Sequence, residues 1–186
     1  FNTPNNIIDA ATQAMKDGHT RYTPGSGILR LKEAIQAKLF RDNHINYDTD
    51  EIIVSSGGKH SLYNACQVLF QSGDEVIIFS PYWVSFPDFV SVTGAKPVFV
   101  DTNPDKQYEP VFDDLISKIN SNTKGIIINS PSNPTGGVWS DDAIKKTVDI
   151  AESVFVEFFF KKCDFNLTKV SKFQYLFNLL KELIKR

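Results

Sequence analysis

The chain has 186 residues, of which 41% are hydrophobic and 23% are charged, and this composition is ordinary for a globular domain with a buried core. Its formal net charge of -2 gives no electrostatic reason to expect binding to nucleic acid or to an anionic membrane. No stretch is long enough to span a bilayer, and neither a signal peptide nor metal-ligand cysteine spacing is present, so we expect a cytoplasmic protein with no metal site and with reduced thiols at Cys66 and Cys163.

Hydrophobic periodicity predicts two N-terminal helices, followed by strands that alternate with helices. The first helix is predicted over Ile7–Asp17 and the second over Leu29–Asn43, with a turn-rich loop at residues 22–27 between them. Short apolar runs predict strands at Glu51–Ser55, Glu75–Ser80, Pro97–Asp101 and Lys124–Asn129. Further helices are predicted at Lys59–Gln71, Val84–Thr93, Val111–Ser121 and Asp141–Glu152. This alternation predicts an α/β fold in which helices flank a mostly parallel sheet.

The composition changes near Ser153. Residues 154–186 contain seven of the fifteen phenylalanines and carry a net charge of +4, whereas the first 153 residues carry -6. We therefore divide the chain into residues 1–152 and a divergent, helical tail over residues 153–186. Three interpretations of the tail stay open: a helix that covers the core, a basic amphipathic surface helix, or an out-of-frame extension after a frameshift.

Two glycines, Gly57 and Gly58, follow the first predicted strand and open the next predicted helix. Glycine lets a backbone approach an anion closely, and the start of a helix presents free amides at the positive end of its dipole. A phosphate would fit there, with Lys59 or Ser61 nearby, although an ordinary turn is the alternative. The spacing is neither that of a P-loop nor that of a dinucleotide fingerprint, which disfavours a phosphate-binding oxidoreductase.

Trp83 and Asn133 follow two other predicted strands. The Trp83 ring could stack on a flat heteroaromatic ring, or it could pack a helix onto the sheet. Asn133 lies in a turn at residues 130–136, in which each X-Pro bond could be cis, and such a turn is also a common loop device. Because parallel strands bind ligands at their carboxyl ends, the three junctions together predict a site for a phosphorylated aromatic ring.

These motifs resemble, in order and spacing, those of the class I aminotransferases, which depend on pyridoxal 5′-phosphate and have the fold type I architecture. Among them the bacterial aspartate/prephenate aminotransferases are most similar. The resemblance implies that residues 1–152 are the N-terminal part of the large, cofactor-binding domain. The shared stretches are Tyr22-Thr23-Pro24, Gly57-Gly58-Lys59, Gly73-Asp74-Glu75-Val76, Ser80-Pro81-Tyr82-Trp83-Val84-Ser85 and Asn129-Ser130-Pro131-Ser132-Asn133-Pro134-Thr135-Gly136.

The resemblance implies cofactor roles for five residues. Backbone groups at Gly58 and Lys59 would hold the phosphate of pyridoxal 5′-phosphate. Trp83 would stack on the pyridine ring, Asn133 would bond its phenolic oxygen, and both would lie near the substrate. Tyr22 would reach the phosphate in the partner subunit's site, which implies a homodimer. The implied substrates are an amino acid such as aspartate and a 2-oxo acid.

The residues that would carry the chemistry are not found. Transamination needs a lysine that forms a Schiff base with the cofactor and a carboxylate on the pyridine nitrogen. Neither the Asp-x-x-Tyr nor the Ser-x-x-Lys segment expected from the family follows Glu152, and Lys172, directly after Ser171, has the wrong spacing. We therefore assign no catalytic residue and expect an inactive member of the family. The alternative is a non-catalytic protein that binds a phosphate ligand or a partner through a basic amphipathic helix at Leu167–Arg186.

Overall fold

The computed structural model describes residues 1–153 and 157–161. In this part of the chain the helices are α1 (Asn5–Lys16), α2 (Leu29–Asn43), α3 (Gly57–Leu69), α4 (Ser85–Ser91), α5 (Phe112–Lys118) and α6 (Asp141–Ser153). The strands are β1 (Glu75–Ser80), β2 (Lys96–Asn103), β3 (Glu109–Pro110), β4 (Thr123–Asn129) and β5 (Glu157–Lys161). Short 3-10 helices lie at Thr49–Glu51 and Pro104–Lys106.

The strands form one sheet in the order β3-β2-β1-β4-β5. β1 pairs in parallel with β2 and with β4, and β5 pairs in parallel with β4, whereas the two-residue strand β3 is antiparallel to β2. The parallel strands are joined by crossover connections that contain helices, as parallel pairing requires. The predicted α/β fold with a mostly parallel, helix-flanked sheet is confirmed.

The central strand β1 is buried on both faces, which explains why its sequence is a continuous apolar run rather than an alternating one. Ile77 and Phe79 pack on one side in a cluster with residues of α5 and α6. Val76 and Ile78 pack on the other side in a cluster with residues of α3 and α4. The two clusters hold the sheet between two layers of helices. Because helices cover both faces of the sheet, a site can form at the ends of its strands.

The strand predicted at Glu51–Ser55 is wrong. Thr49–Glu51 form a 3-10 helix, in which the backbone amide of Asp48 donates to Glu51 Oε2 at 2.9 Å. Ile52 is extended, but residues 52–55 join no strand in the described part of the chain. The amide of Val54 instead donates to the carbonyl oxygen of Ser26 at 3.0 Å. An apolar, β-branched run favours an extended backbone, but a strand also needs a neighbouring strand to pair with.

β5 lies inside the tail for which we predicted helical structure. Its pairing with β4 runs in register from Gly125 opposite Glu157 to Asn129 opposite Lys161. Residues 157–161 are therefore a strand, and an uninterrupted apolar run such as Phe158-Phe159-Phe160 is typical of parallel strands. The predicted helix at Leu167–Arg186 lies outside the described residues, and the division of the chain after residue 152 stays a prediction.

The described residues contain neither a membrane-spanning helix nor a metal-binding cluster. No helix there is long and apolar enough to cross a membrane. No group of three or more histidine, cysteine, aspartate or glutamate side chains in residues 1–153 and 157–161 is placed to hold a metal ion. Cys66 is buried in α3, and burial raises the pKa of its thiol to about 11, so this thiol is protonated at neutral pH.

Lys32 in α2 is only 9% exposed, and its Nζ donates to Ser26 Oγ at 3.3 Å. None of the salt bridges among the described residues includes it. We expect Lys32→Met to leave the free energy of unfolding unchanged or to raise it by about 1 kcal/mol, because the change removes a buried charge and keeps the apolar stem. Urea unfolding would measure this, with the more exposed Lys38 changed to Met as the matched control. A loss above about 1 kcal/mol would contradict the prediction, because removing one partner of a buried ion pair is strongly destabilising.

Candidate functional site

A cleft opens at the carboxyl ends of β1, β2 and β4. Its enclosed space is small, about 20 Å³, which is room for about one water molecule. Its polar lining comes from Thr102 in β2, Asn129 at the end of β4 and Ser132 in the following turn. Its aromatic lining is Phe79, Tyr82, Phe86, Tyr108 and Trp139. No lysine, arginine, aspartate or glutamate of the described residues lines it, so the cleft itself offers no charged group for chemistry.

Hydrogen bonds fix the turn that forms one side of the cleft. The amide of Ser132 donates to the carbonyl oxygen of Gly137, and the amide of Gly136 donates to that of Ser132, both at 2.8 Å. Deeper in the protein, the amide of Trp139 donates to the buried Ser130 Oγ at 2.9 Å. The peptide bonds before Pro131 and Pro134 are both cis, as the sequence allowed. The turn is thus held at both ends, which fixes the position of its exposed residue Asn133.

The two adjacent glycines open α3, as predicted, but the strand predicted directly before them is absent. The amide of Gly57 donates to the carbonyl oxygen of Ser55 at 2.8 Å, but Gly58 and Lys59 lie in the first turn, where amides have no acceptor within the helix. A Cβ added at Gly57 or Gly58 would meet nothing within 4 Å, so the space beside these two glycines is open. Free amides, open space and the positive end of a 13-residue helix are the features that bind anions.

Trp83 lies in the connection between β1 and α4, and it is half-buried. Its ring makes T-shaped contacts with Phe86, at 5.5 Å between centroids, and with Phe89, at 5.8 Å. The Nζ atom of Lys59 lies over the ring, 5.4 Å from its centroid. Trp83 therefore packs α4 onto the sheet, which is the structural alternative we considered, and it also joins the start of α3 to the edge of the cleft. Stacking on a ligand stays a prediction.

None of the predicted site residues lines the cleft, and all but Tyr22 lie near its edge. Tyr82, which lines the cleft, is next to Trp83, and Ser132, which also lines it, is next to Asn133. Lys59 reaches this edge through Trp83. Tyr22 is fully exposed in the loop between α1 and α2 and does not line the cleft. Lys59, Trp83 and Asn133 thus lie at the same edge of the sheet, and Tyr22 lies apart from them.

Sequence reasoning missed three residues that line the cleft, Thr102, Tyr108 and Trp139. Thr102 follows the apolar part of β2, so the carboxyl-end rule that selected Trp83 would have found it. Trp139 is buried, and it could have been expected near the turn because it follows Gly136-Gly137 closely. Tyr108 gives no signal in the sequence, because its place in the cleft depends on a left-handed backbone, with φ 59°, that is uncommon for a bulky residue.

The sequence model of the family described as "Aminotransferase class I and II" matches residues 1–172. The chain belongs to this family. It is 46% identical over 151 residues to an aspartate aminotransferase of Bacillus sp. (strain YM-2), and 48% identical over 150 residues to a probable aspartate/prephenate aminotransferase of Rickettsia bellii. Each alignment covers 81% of this chain and 38% of the relative, so the chain spans about two fifths of the length of these curated relatives.

Solved aminotransferase structures have the same fold. A mutant aspartate aminotransferase of Thermus thermophilus matches with a TM-score of 0.85 at 33% identity, over 92% of this chain and 47% of that one. An aromatic aminotransferase from Pyrococcus horikoshii matches with a TM-score of 0.82 at 33% identity, over 86% of this chain and 43% of that one. The resemblance to class I aminotransferases is confirmed, as is the partial large-domain fold, and the family depends on pyridoxal 5′-phosphate.

Proposed function

We propose that this chain supplies the phosphate-binding and ring-binding part of a pyridoxal-phosphate-dependent aminotransferase. Such an enzyme transfers an amino group between an amino acid such as aspartate and a 2-oxo acid. The observation that carries the proposal is the open first turn of α3, which lies beside Trp83 at the same sheet edge as the aromatic cleft and the Asn133 turn. The bound cofactor supplies an aldehyde and an electron-accepting ring.

The donor set fits the parts of the cofactor that are bound without a covalent bond. The amides of Gly58 and Lys59 hold the phosphate dianion, which the helix dipole also attracts. The Lys59 ammonium adds positive charge. Because its Nζ atom lies over the ring of Trp83, this ring is close to the position of the phosphate. The side-chain amide of Asn133 orients the phenolic oxygen of the ring, and both Trp83 and Asn133 lie near the substrate.

We further propose that the 186-residue chain does not transaminate by itself. No lysine or carboxylate of the described residues lines the cleft, so the Schiff base and the carboxylate on the pyridine nitrogen are not provided there. The test is to incubate the purified chain with pyridoxal 5′-phosphate, aspartate and 2-oxoglutarate and to measure glutamate. Glutamate formation above that of a heat-denatured control would contradict this proposal.

The whole family protein is proposed to be a cytoplasmic homodimer in which Tyr22 reaches the partner's cofactor phosphate. Two features support this arrangement. The Tyr22 side chain is fully exposed, and α1 has no buried residue although it carries the large apolar side chains of Ile7, Ile8 and Met15. An exposed apolar helix face is typical of an interaction surface.

The phosphate role of Gly58 gives a matched pair of variants. Proline is tolerated in the first turn of a helix and has no amide, whereas alanine keeps the amide and its Cβ would meet nothing within 4 Å. We expect Gly58→Pro to weaken binding of pyridoxine 5′-phosphate by about tenfold or more, because hydrogen bonds to charged groups contribute about 1.5–3 kcal/mol. Gly58→Ala should bind like the unsubstituted chain. Equilibrium dialysis measures both affinities.

Pyridoxine 5′-phosphate is the right probe because it has the ring and the phosphate but no aldehyde, so it cannot label surface lysines. Circular dichroism would first show that both variants keep the helix content of the unsubstituted chain. Equal affinities of the proline and alanine variants would remove Gly58 from the phosphate site. Absence of binding by the unsubstituted chain would overturn the proposed function.

A second candidate is a protein that binds a phosphate ligand but has no catalytic activity. The uncharged lining of the cleft favours it, because such a lining has no charged group for catalysis. Borohydride reduction in the presence of pyridoxal 5′-phosphate separates the two candidates. Labelling of one unique lysine supports a retained cofactor site, whereas binding of the phosphate probe with only scattered lysine labelling supports the second candidate. The basic helix that could contact a partner lies in residues 167–186, outside the described part of the chain.

A further inference from the structure

Ser130 is a polar residue inside the protein. It lies directly after β4, before the exposed part of the Asn133 turn, and it is fully buried. Its Oγ atom accepts a hydrogen bond at 2.9 Å from the amide of Trp139, nine positions later in the chain. Burying this amide without an acceptor would cost free energy, so the bond is needed. The bond joins the two ends of the 130–139 segment.

Trp139 is itself fixed on the central strand. It is only 4% exposed and belongs to the cluster on the α5 and α6 side of the sheet. Its ring meets the ring of Phe79 in β1 edge to face, with 4.8 Å between the centroids and 85° between the planes. Aromatic pairs prefer this geometry. Because the core holds the Trp139 side chain, its backbone amide is a fixed donor, and Ser130 is bonded to a rigid part of the protein.

The same strand leads to the other residue that is proposed to contact the ring. Phe79 lies near the end of β1, four positions before Trp83. Through Trp139 and Phe79, Ser130 therefore connects the Asn133 turn to the strand that Trp83 follows. The position of Asn133 relative to Trp83 depends on this connection.

The hydrogen bonds inside the turn have a different effect. The amide of Ser132 donates to the carbonyl oxygen of Gly137, and the amide of Gly136 donates to that of Ser132. These bonds fix the shape of the turn. Its position relative to β1 needs a bond to the core, and the bond from Trp139 to Ser130 provides one.

We propose that Ser130 is a positioning residue, which sets the position of the Asn133 side-chain amide relative to Trp83 through its bond to Trp139. The inference rests on the proposed function, in which Asn133 bonds the phenolic oxygen of the cofactor ring. Without the Ser130 hydroxyl, the amide of Trp139 loses its acceptor and the turn shifts. Asn133 then no longer reaches the phenolic oxygen, whereas the phosphate-binding amides at the start of α3 are unchanged.

The experiment compares two probes by equilibrium dialysis with the full chain. They are pyridoxine 5′-phosphate and 3-deoxypyridoxine 5′-phosphate, which lacks the phenolic oxygen. We expect the unsubstituted chain to bind the first probe about threefold to tenfold more tightly, which is the usual contribution of one hydrogen bond. Ser130→Ala should bind both probes with nearly equal affinity, and so should Asn133→Ala. The double variant should lose no further preference, because both substitutions remove the same bond to the ligand.

Ser140→Ala is the matched control. Ser140 Oγ also accepts a backbone hydrogen bond, from the amide of Ala143 at 3.1 Å, but it does so at the exposed start of α6. Loss of such a helix cap destabilises a protein, so urea unfolding should show a lower midpoint for both serine variants. Only Ser130→Ala should lose the preference for the phenolic probe. A purely structural role of Ser130 would lower the midpoint and leave the preference unchanged.

The outcomes separate this inference from the proposed function. If the unsubstituted chain prefers the phenolic probe and Ser130→Ala keeps that preference, Ser130 is not a positioning residue and the proposed function stands. If the unsubstituted chain binds neither probe, both are overturned. If it binds both probes equally, Asn133 does not bond the phenolic oxygen, and the inference fails while the phosphate-binding part of the proposed function stands.

A second variant keeps the test decisive if Ser130→Ala does not fold, as judged by circular dichroism. Ser130→Cys is close to serine in size, and its sulfur is only a weak acceptor. We expect it to lose part of the preference for the phenolic probe. A Ser130→Cys variant with the full preference would overturn the inference.

Discussion

Replacement of Gly137 by alanine is expected to lower the free energy of unfolding by about 1–3 kcal/mol, which is the usual effect of overpacking. Gly137 is buried, and its φ is not in the left-handed region, so the expected effect is steric and not conformational. The new Cβ would lie 2.4 Å from a backbone oxygen, that of Gln107. A backbone atom cannot rotate away as a side chain can, so the whole 104–108 loop must move.

Gly136 is the matched control one residue earlier. A Cβ there would meet nothing within 4 Å, but its φ of 75° is left-handed. We expect Gly136→Ala to lose about 1 kcal/mol, the conformational penalty of a left-handed residue with a side chain, without displacing the loop. Urea unfolding gives both free energies. Equal losses for the two variants would contradict the steric account.

Local sequence pattern was sufficient for most helices and strands. The predicted helix at Leu29–Asn43 and the predicted strand at Glu75–Ser80 have the observed bounds. In β1 the apolar run agrees with the observed burial, and the turn residues before Leu29 mark the start of α2. The failure at Glu51–Ser55 and the unexpected strand at Glu157–Lys161 have one cause. Strand pairing is a long-range property, and a short apolar run does not tell whether a neighbouring strand lies beside it.

The site was predictable to the extent that it follows from the topology. The rule that ligands bind at the carboxyl ends of parallel strands placed Trp83 and the Asn133 turn at one edge, and the structure puts both there. The rule could not give the lining itself. Tyr108 enters the cleft because Gly137 permits a close approach to the backbone of Gln107, and such an approach between residues 30 positions apart leaves no local pattern. The roles of Gly58, Lys59, Trp83, Asn133 and Tyr22 in binding stay predictions.

The largest loss of stability is expected for Phe86→Ala. Phe86 in α4 is 2% exposed, packs in the cluster on the α3 and α4 side of the sheet, and also lines the cleft. Truncation of a buried phenylalanine removes its transfer free energy and leaves a cavity, and together these lower the free energy of unfolding by about 3–5 kcal/mol. The T-shaped contact with Trp83 at 5.5 Å is lost as well, so the tryptophan emission should shift to longer wavelength as solvent reaches the ring.

Phe89 provides the control, because it makes the other T-shaped contact with Trp83, at 5.8 Å, but is only half-buried. We expect Phe89→Ala to lose about 1–2 kcal/mol, within the range of ordinary destabilising substitutions. Phe86→Leu, at a loss of about 1 kcal/mol, stays measurable if the alanine variant does not fold. The ratio of the two losses in free energy of unfolding shows which contacts hold α4 on the sheet. If Phe86→Ala and Phe89→Ala are equally destabilising, burial against β1 is not what anchors α4, and the aromatic contacts with Trp83 must hold the helix that forms this side of the cleft.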